Sequence, residues 1–546
     1  FQSEKITEKL MPHPIEKALE EWARFLTQEQ IITDTKTLEQ YETATYETEH
    51  RISAILKPAN REQVQKLTKI ANQYKTPLYP ISTGRNWGYG SSVPTADGCV
   101  IVDLGLMNRI IKLNKELAYV TLEPGVTQKQ LYDYLQSEDT GLWMDATGAS
   151  AECSIIGNTL ERGFGHTPYG DHFSKVSGLE VVLANGEYLH TGFGRFPNAQ
   201  AAEVYHWGVG AYLDGIFSQS NFGIITQMTI WLMPAPEYLQ AFFCTVDKEA
   251  LPLLIDSLRP LRLEGTLKSA IHIVNADKAI SAFGQYPWNE VNNVTPLPRD
   301  WLAKVSKERN VGGWNASGAL YGTRAEVSVA RKKLKKALRR IPSTKLHFVD
   351  DRTVKIASKI ARPYKWTTGI DLTKALEMVV AFIRLKRGIP SNTFIPSTYW
   401  RKKQPAPAAD NADPNRDRCG LIWLAPIAPM TGEHASALEE IIETTLLSFG
   451  FDPAISMTLL TERCIDSVIA IAYDRDFPEE EKRALQCHDE LLAKLIDKGY
   501  YPYRLSTYAM GKLPKAEPAY TELMKKFKVA IDPQHIIAPR RYEEHK

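Results

Sequence analysis

Long apolar runs are missing from this 546-residue chain, and none approaches the length of a membrane-spanning helix. No membrane association is therefore expected. The N-terminus also lacks the apolar core of a secretory leader. A cytoplasmic location is expected, or a periplasmic one if a leader preceding Phe1 was removed. Cysteine is sparse: Cys99, Cys153, Cys244, Cys419, Cys464 and Cys487 are scattered, without the paired spacing of a metal site. Cys487-His488 lacks the second cysteine of a haem attachment motif. Six reduced structural thiols are expected, with no metal and no haem on this chain. Charge of one sign is missing too. The formal net charge is only +2, and the cluster Arg331-Lys332-Lys333 reads as a solvated helix face. Nucleic acid is excluded as a partner. No internal repeat is visible.

What is present is a two-part pattern of strands and helices. Glu62, Val64, Leu67, Ile70 and Ala71 mark a helix over 61–74. Pro77 to Ile81 reads as a short strand, and Cys99 to Leu104 as a continuous apolar strand buried on both faces. Tyr119 to Glu123 is a further strand, followed by a helix from Gln128 to Leu135. Residues 179–191 predict a hairpin in which Asn185-Gly186 supplies a type I′ turn. Pro234 and Pro236 close a β-rich stretch and mark a candidate boundary. Beyond about residue 240 the pattern becomes a second α+β unit, with strands at 270–274 and 421–424 and long helices at 327–340 and 433–449. Residues 402–417, rich in Pro, Ala, Asp and Asn, read as an exposed loop.

The segment PISTGRNWGYGSSVP, residues 80–94, packs Gly84, Gly88 and Gly90 among small polar residues directly after a strand. Glycine lets successive backbone amides approach a phosphate, and Arg85 adds charge. It is neither a P-loop nor a Rossmann fingerprint, and alone it is equally an ordinary turn. Three further segments follow in order: SIIGNTLERGFGHTPYGDH (154–172), FSQSNFGIIT (217–226) and AIDPQHIIAP (530–539). Together the four resemble the vanillyl-alcohol oxidase and p-cresol methylhydroxylase family, over nearly the whole chain. That resemblance implies an α+β fold with a PCMH-type FAD-binding domain and an α+β cap over the flavin ring. The expected division is 1–240 and 501–546 for the FAD domain and 241–500 for the cap.

The resemblance also implies roles for residues. Pro80, Ser82, Thr83, Gly84, Arg85 and Asn86 would wrap the pyrophosphate. Gly148, Ser154, Gly157, Asn158, Glu161, Gly163, His166 and Asp171 would line the flavin and ribityl chain. Gly223 and Ile224 would meet the adenine end, and Arg504 and Arg541 would add charge. Tyr89, Tyr503 and Arg504 match the family's phenolate-binding trio, although a Tyr-Arg pair is commonplace in a chain with 24 tyrosines. A phenol has a pKa of about 10, so a site that oxidises it needs donors and a fixed cation around one oxygen. The implied reaction is hydride transfer from the benzylic carbon of a para-substituted phenol to flavin N5. It leaves a p-quinone methide, which yields an alcohol, an aldehyde or an alkenyl phenol.

Several positions depart from the family. Its covalent histidine falls at Leu421 and its tyrosine near Asp413, where no tyrosine stands. Non-covalent FAD is therefore expected. Tyr399 reads as a buried aromatic, with an unusual anchor as the alternative. The acid that some oxidases place near flavin N5 is absent from Ala146 to Ser150, and Asp145 is the nearest one. His166 stands where oxidases have tyrosine, and would either bond substrate or satisfy a buried contact. After Ala538-Pro539 the usual Gly-Lys is Arg540-Arg541. Met457 falls at a pocket position that is polar in relatives, so an apolar pocket suited to a bulkier para substituent is expected. Either oxygen or a separate c-type cytochrome would accept electrons, and a homodimer or higher homo-oligomer is expected. The competing readings are a non-phenolic alcohol, sugar or hydroxy acid as substrate on the same fold, and an inert flavin-binding partner.

Overall fold

The computed structural model describes residues 14–368 and 373–544. The segment from Ile31 to Trp231 builds two sheets, and their order explains where the site lies. The smaller sheet has strands Ile31–Ile32, Ile52–Leu56, Cys99–Asp103 and Leu78–Ile81, in that spatial order. Cys99–Asp103 pairs in parallel with both neighbours and is buried along its length. That placement accounts for its unbroken apolar sequence. The helix Arg61–Tyr74 makes the crossover that parallel strands need. Asn60 caps it by accepting from the Gln63 amide, and it buries Val64, Leu67 and Ala71.

The second sheet is antiparallel, with Ile110–Asn114, Tyr119–Leu122, Ile224–Trp231, Val176–Val182 and Tyr188–His190 in order. The hairpin over 176–190 is present, but its turn differs from expectation. Gly186 alone takes a positive φ, +81°, and Asn185 does not. The Gly186 amide donates to the Leu183 carbonyl and the Leu183 amide to Glu187. The connection is thus a type I turn ending in a left-handed glycine, the other geometry an Asn-Gly pair serves well.

From Tyr238 onward, slightly before the expected boundary, the chain builds an eight-stranded antiparallel sheet. Its path runs Lys345–Val349, Tyr238–Val246, Trp314–Gly322, Ile271–Asn275, Ile455–Leu459, Cys464–Asp474 and Cys419–Leu424, with Ile427–Pro429 paired to Cys464–Asp474. The helices Leu251–Leu263, Arg324–Leu338, Gly432–Ser448 and Pro478–Asp497 bury their apolar stripes against one face. Alternation then fixes which residues turn the other way, toward the first domain. Met457 is one of the residues on the helix side, packed with Ile455, Leu459, Ile469 and Ile471. The expectation that Met457 lines the substrate pocket is therefore corrected. Its neighbours Ser456 and Thr458 occupy the opposite face, and Thr458 bonds His272 there. Residues 402–417 are irregular, as expected, though Lys402, Ala412 and Pro414 are buried.

The chain then returns to the first domain. The Leu78 amide donates to the Ile536 carbonyl and the Ala538 amide to Leu78, both at 2.7 Å. Ile536, Ile537 and Ala538 join the core of the smaller sheet.

Candidate active site

A cavity of about 330 Å³ lies between the two domains and the returning chain. One wall is the turn after Leu78–Ile81. No backbone amide from Thr83 to Asn86 donates to another protein group among the described residues. Gly84, at φ +66°, bends this run so that its amides share one concavity. Such a nest binds an anion such as a pyrophosphate. Gly157 faces it across the cavity wall, and a Cβ there would stand 2.5 Å from Ser82 Oγ. The helix Ile155–Leu160 starts at Ser154, whose hydroxyl accepts from the Gly157 amide and donates to Pro124 O. These features fit a dinucleotide phosphate without rearrangement.

Glu161 organises the next stretch. Arg541 bonds it, Tyr542 donates to it at 2.8 Å, and Arg504 Nε lies 3.4 Å away. Burial alone would raise the Glu161 carboxyl, but the Arg541 and Arg504 guanidiniums outweigh it and hold it below the usual range. Two cations against one carboxylate leave one positive charge for an anionic ligand. Arg540 takes the left-handed conformation at φ +68° and turns Arg541 inward to Glu161.

At the cap end, Arg504 stacks on Tyr89 with its guanidinium 4.1 Å from the ring centroid. Its Nη2 donates to Asn86 Oδ1 at 2.5 Å. Tyr503 packs on Phe164, with ring centroids 6.1 Å apart. Burial pushes the Tyr89 hydroxyl up to about 12 against the pull of Arg504, and raises Tyr503 well above the ordinary phenol value. Both therefore stay protonated at neutral pH and act as donors. The cap closes this end with Trp423 and Val468. Trp423 Nε1 donates to Trp87 O, its amide donates to Gly88 O, and the Gly88 amide donates to Thr45 Oγ1.

The structure brings together on the cavity wall Pro80, Ser82, Thr83, Gly84, Arg85, Asn86, Tyr89, Ser154, Gly157, Asn158, Glu161, Gly163, Gly223, Tyr503, Arg504 and Arg541. Four expected residues stand elsewhere. Ile224 turns into the core by strand alternation, while Gly223 and Ile225 face the cavity. Asp171 is exposed, and its carboxylate accepts from the Ser174 amide. Gly148 lies between the lining residues Thr147 and Ala149, and its missing Cβ would point at His166 Nε2. His166 is set back against His272. Tyr399 is fully buried off the wall and donates to Asp417, so it lies outside the cavity rather than at an anchoring position. Leu421 sits on the same strand face as Trp423, held by Thr45 at both its amide and its carbonyl. Asp145 is tied to the His166 and Thr167 amides and to His172 Nε2, while His172 Nδ1 meets Asn158.

One residue escaped the sequence reading. Asp466 is fully buried, and neither carboxylate oxygen has a hydrogen-bond partner among the described residues. Burial raises it well above the ordinary carboxyl value, and its charge would be felt at Tyr89 and Tyr503. An Asp within the apolar run Cys464–Asp474 is an unremarkable strand residue until its face is known.

Residues 52–192 match the family model described as an FAD binding domain. The chain is 41% identical to 1'-carboxy-chondrochloren decarboxylase of Chondromyces crocatus, over 97% of each chain. It is 32% identical to the 4-cresol dehydrogenase [hydroxylating] flavoprotein subunit of Pseudomonas putida, over 96% of this chain and 95% of that one. The crystal structure of p-cresol methylhydroxylase with substrate bound superposes with a TM-score of 0.87 at 30% identity. The 4-ethylphenol oxidase of Gulosibacter chungangensis, in its isoeugenol complex, superposes at 0.88 and 27%. Each of these two structural matches covers 98% of both chains. FAD is the cofactor, and the amide nest and the charged Glu161 cluster line a cavity whose chemistry fits its pyrophosphate. With its cavity, its two-domain architecture and its full-length relatives in agreement, the chain belongs to the p-cresol methylhydroxylase family of FAD-dependent oxidoreductases.

Proposed function

We propose that this flavoprotein oxidises the benzylic carbon of a para-substituted phenol. The observation that carries this reading is the meeting of Tyr89, Tyr503 and Arg504 at the cap end of the cavity. Two protonated hydroxyls and one guanidinium favour the anionic form of a phenol. A phenolate pushes electron density toward its para carbon and eases departure of a hydride from the carbon attached there. Bound FAD supplies the hydride acceptor. The chain's own residues hold the oxygen, orient the ring under Val468 and Trp423, and keep water away.

The fate of the resulting p-quinone methide admits a second reading, favoured by the decarboxylase among the relatives. A carboxylate on the carbon next to the benzylic one can leave as CO2. The electrons of the broken C–C bond then form the alkene, and the ring returns to a phenolate. Such a step needs no water-activating base. This agrees with Thr147 and Ala149 lining the cavity where an acid is lacking, and with Asp145 being fully engaged.

Anaerobic addition of 4-propylphenol should bleach the flavin absorbance. Replacing Arg504 by Met should slow that bleaching by at least about 100-fold, the usual cost of one lost electrostatic contact to a developing charge. Bleaching by a 2-hydroxy acid or a simple alcohol, with none by any phenol, would overturn the proposal. Timing reoxidation in air against reoxidation by a c-type cytochrome identifies the electron acceptor.

A further inference from the structure

One row of polar side chains crosses the cap sheet on the face turned toward the flavin domain. Ser317, His272, Thr458 and Asp466 are register partners on four adjacent strands, and all four are buried. Thr458 Oγ1 and His272 Nδ1 are 3.1 Å apart. A buried polar group without a partner costs about 1–3 kcal/mol, so such a row is retained against a stability cost. His272 Nε2 and both Asp466 oxygens are unpartnered among the described residues.

The two ends of the row meet different neighbours. At the Asp466 end, the Ser467 amide donates to Pro426 O, and the Tyr503 amide donates to the adjacent Ala425 O. This end therefore adjoins the phenol-binding trio. Toward the other end, the His166 ring lies on His272 with centroids 4.1 Å apart, and its Nδ1 is likewise buried without a partner among the described residues. Lys386, only 1% exposed, arrives there too, its Nζ donating to the carbonyl of Ala270 at 2.9 Å. Among the described residues no carboxylate pairs with it. Asp145, the acid that influences it, is spent on His172 and two amides. Burial brings the Lys386 ammonium down to about 7 and keeps both imidazoles neutral. The corner thus offers hydrogen-bond donors and one convertible cation, with no anion of its own to satisfy them.

We infer that His166, His272 and Lys386, which stand behind the cavity wall formed by Thr147 and Ala149 and are reached past the missing side chain of Gly148, form a receptor for a carboxylate at the far end of the substrate's para side chain. From Asp466 to His272 the row spans two strand spacings, roughly 10 Å. That is the reach of an extended phenol whose side chain carries a carboxylate on the second carbon. The inference rests on the phenol-oxidising reading and sharpens it. The same corner that selects carboxylated phenols also fixes the bond that breaks when CO2 leaves.

The test compares 3-(4-hydroxyphenyl)propanoate with 4-propylphenol on the FAD-loaded protein. Dissociation constants are read from flavin spectral shifts and calorimetry, and products by chromatography. Wild-type protein should prefer the propanoate and release 4-vinylphenol and CO2 from it. Lys386→Met and, separately, His166→Phe should each cut the affinity ratio between the two compounds by about tenfold or more, as expected for one lost charge-assisted bond. His166→Phe keeps the ring stack, so it remains informative if Lys386→Met does not fold. An unchanged ratio in both variants overturns the receptor. So does a loss of FAD content in both, which would assign the corner to the cofactor. If the wild type is reduced by neither phenol, the proposed function fails. If 4-propylphenol reduces it and no preference for the carboxylate exists, the receptor alone fails.

Discussion

Asp466 shows how a single residue trades stability for function. It sits fully buried, without a hydrogen-bond partner among the described residues, close enough to Tyr89 and Tyr503 for its charge to be felt at both. Burial raises its pKa well above the ordinary 3.8, so the folded protein retains a proton that the unfolded chain releases. A raised carboxyl pKa means stability that is fully present below the unfolded value and lost as pH rises toward the folded one. Asp466→Asn removes this dependence. Its unfolding free energy should equal that of the wild type near about pH 4 and exceed it increasingly above, by about 1.4 kcal/mol per pH unit until the native group ionises. Phenol oxidation should fall in the same variant. Melting curves across pH, paired with anaerobic reduction rates, check both halves. A variant that is less stable than wild type at neutral pH would show that Asp466 has a stabilising partner.

At the scale of elements, the cap strand Cys419–Leu424 docks on the glycine-rich loop through Gly88. Gly88 takes φ +77°, and a Cβ on it would lie 2.0 Å from the Trp423 ring. Gly98 has a similar φ, +73°, but its Cβ would meet nothing within 4 Å. Gly98→Ala should therefore cost only the backbone conformation, about 1 kcal/mol. Gly88→Ala should cost at least about 2 kcal/mol more, because the indole must move and its bond to Trp87 O is lost. Denaturant melts measure the difference, and FAD content should fall only in Gly88→Ala. Much of this level was legible in the sequence. The apolar run from Cys99 and the spacing of Val64, Leu67 and Ala71 correspond to a fully buried strand and an amphipathic helix. The phosphate-facing loop was legible because glycine and small residues cluster for a backbone reason. What escaped was facing. A shift of one residue moves every side chain of a strand to the other side of the sheet. Met457 and Thr458 are neighbours in sequence, yet one packs under helices and the other joins the polar row. Asp466, His272 and Lys386 come from three separate segments, and only the sheet register and the turn after residue 385 bring them to one face of the cap sheet.

At the scale of the molecule, the cavity is walled from three sides: the first domain, the cap and the returning C-terminal segment. Nothing at Leu421 or in the loop at Asp413 supplies a nucleophile, and the Tyr399 hydroxyl is bonded to Asp417 off the cavity wall. FAD should therefore be held by packing and charge alone, and should leave when the domains part. The interface itself carries an acid-sensitive element. His166 and His272 are stacked between the two domains. Burial lowers both from 6.5, His166 to about 3, with Lys386 adding to the effect on each. A histidine whose folded pKa is depressed takes up its proton on unfolding, so stability is lost as pH falls below about 6.5. Acidification should release intact FAD into the supernatant after precipitation, leaving a colourless pellet. His166→Phe removes one of the two protons, so its unfolding free energy should decline less between about pH 6.5 and 4 than that of the wild type, by about 1.4 kcal/mol per pH unit. A yellow pellet would show a covalent bond. Identical pH slopes for the two proteins would show that His166 is already protonated in the fold.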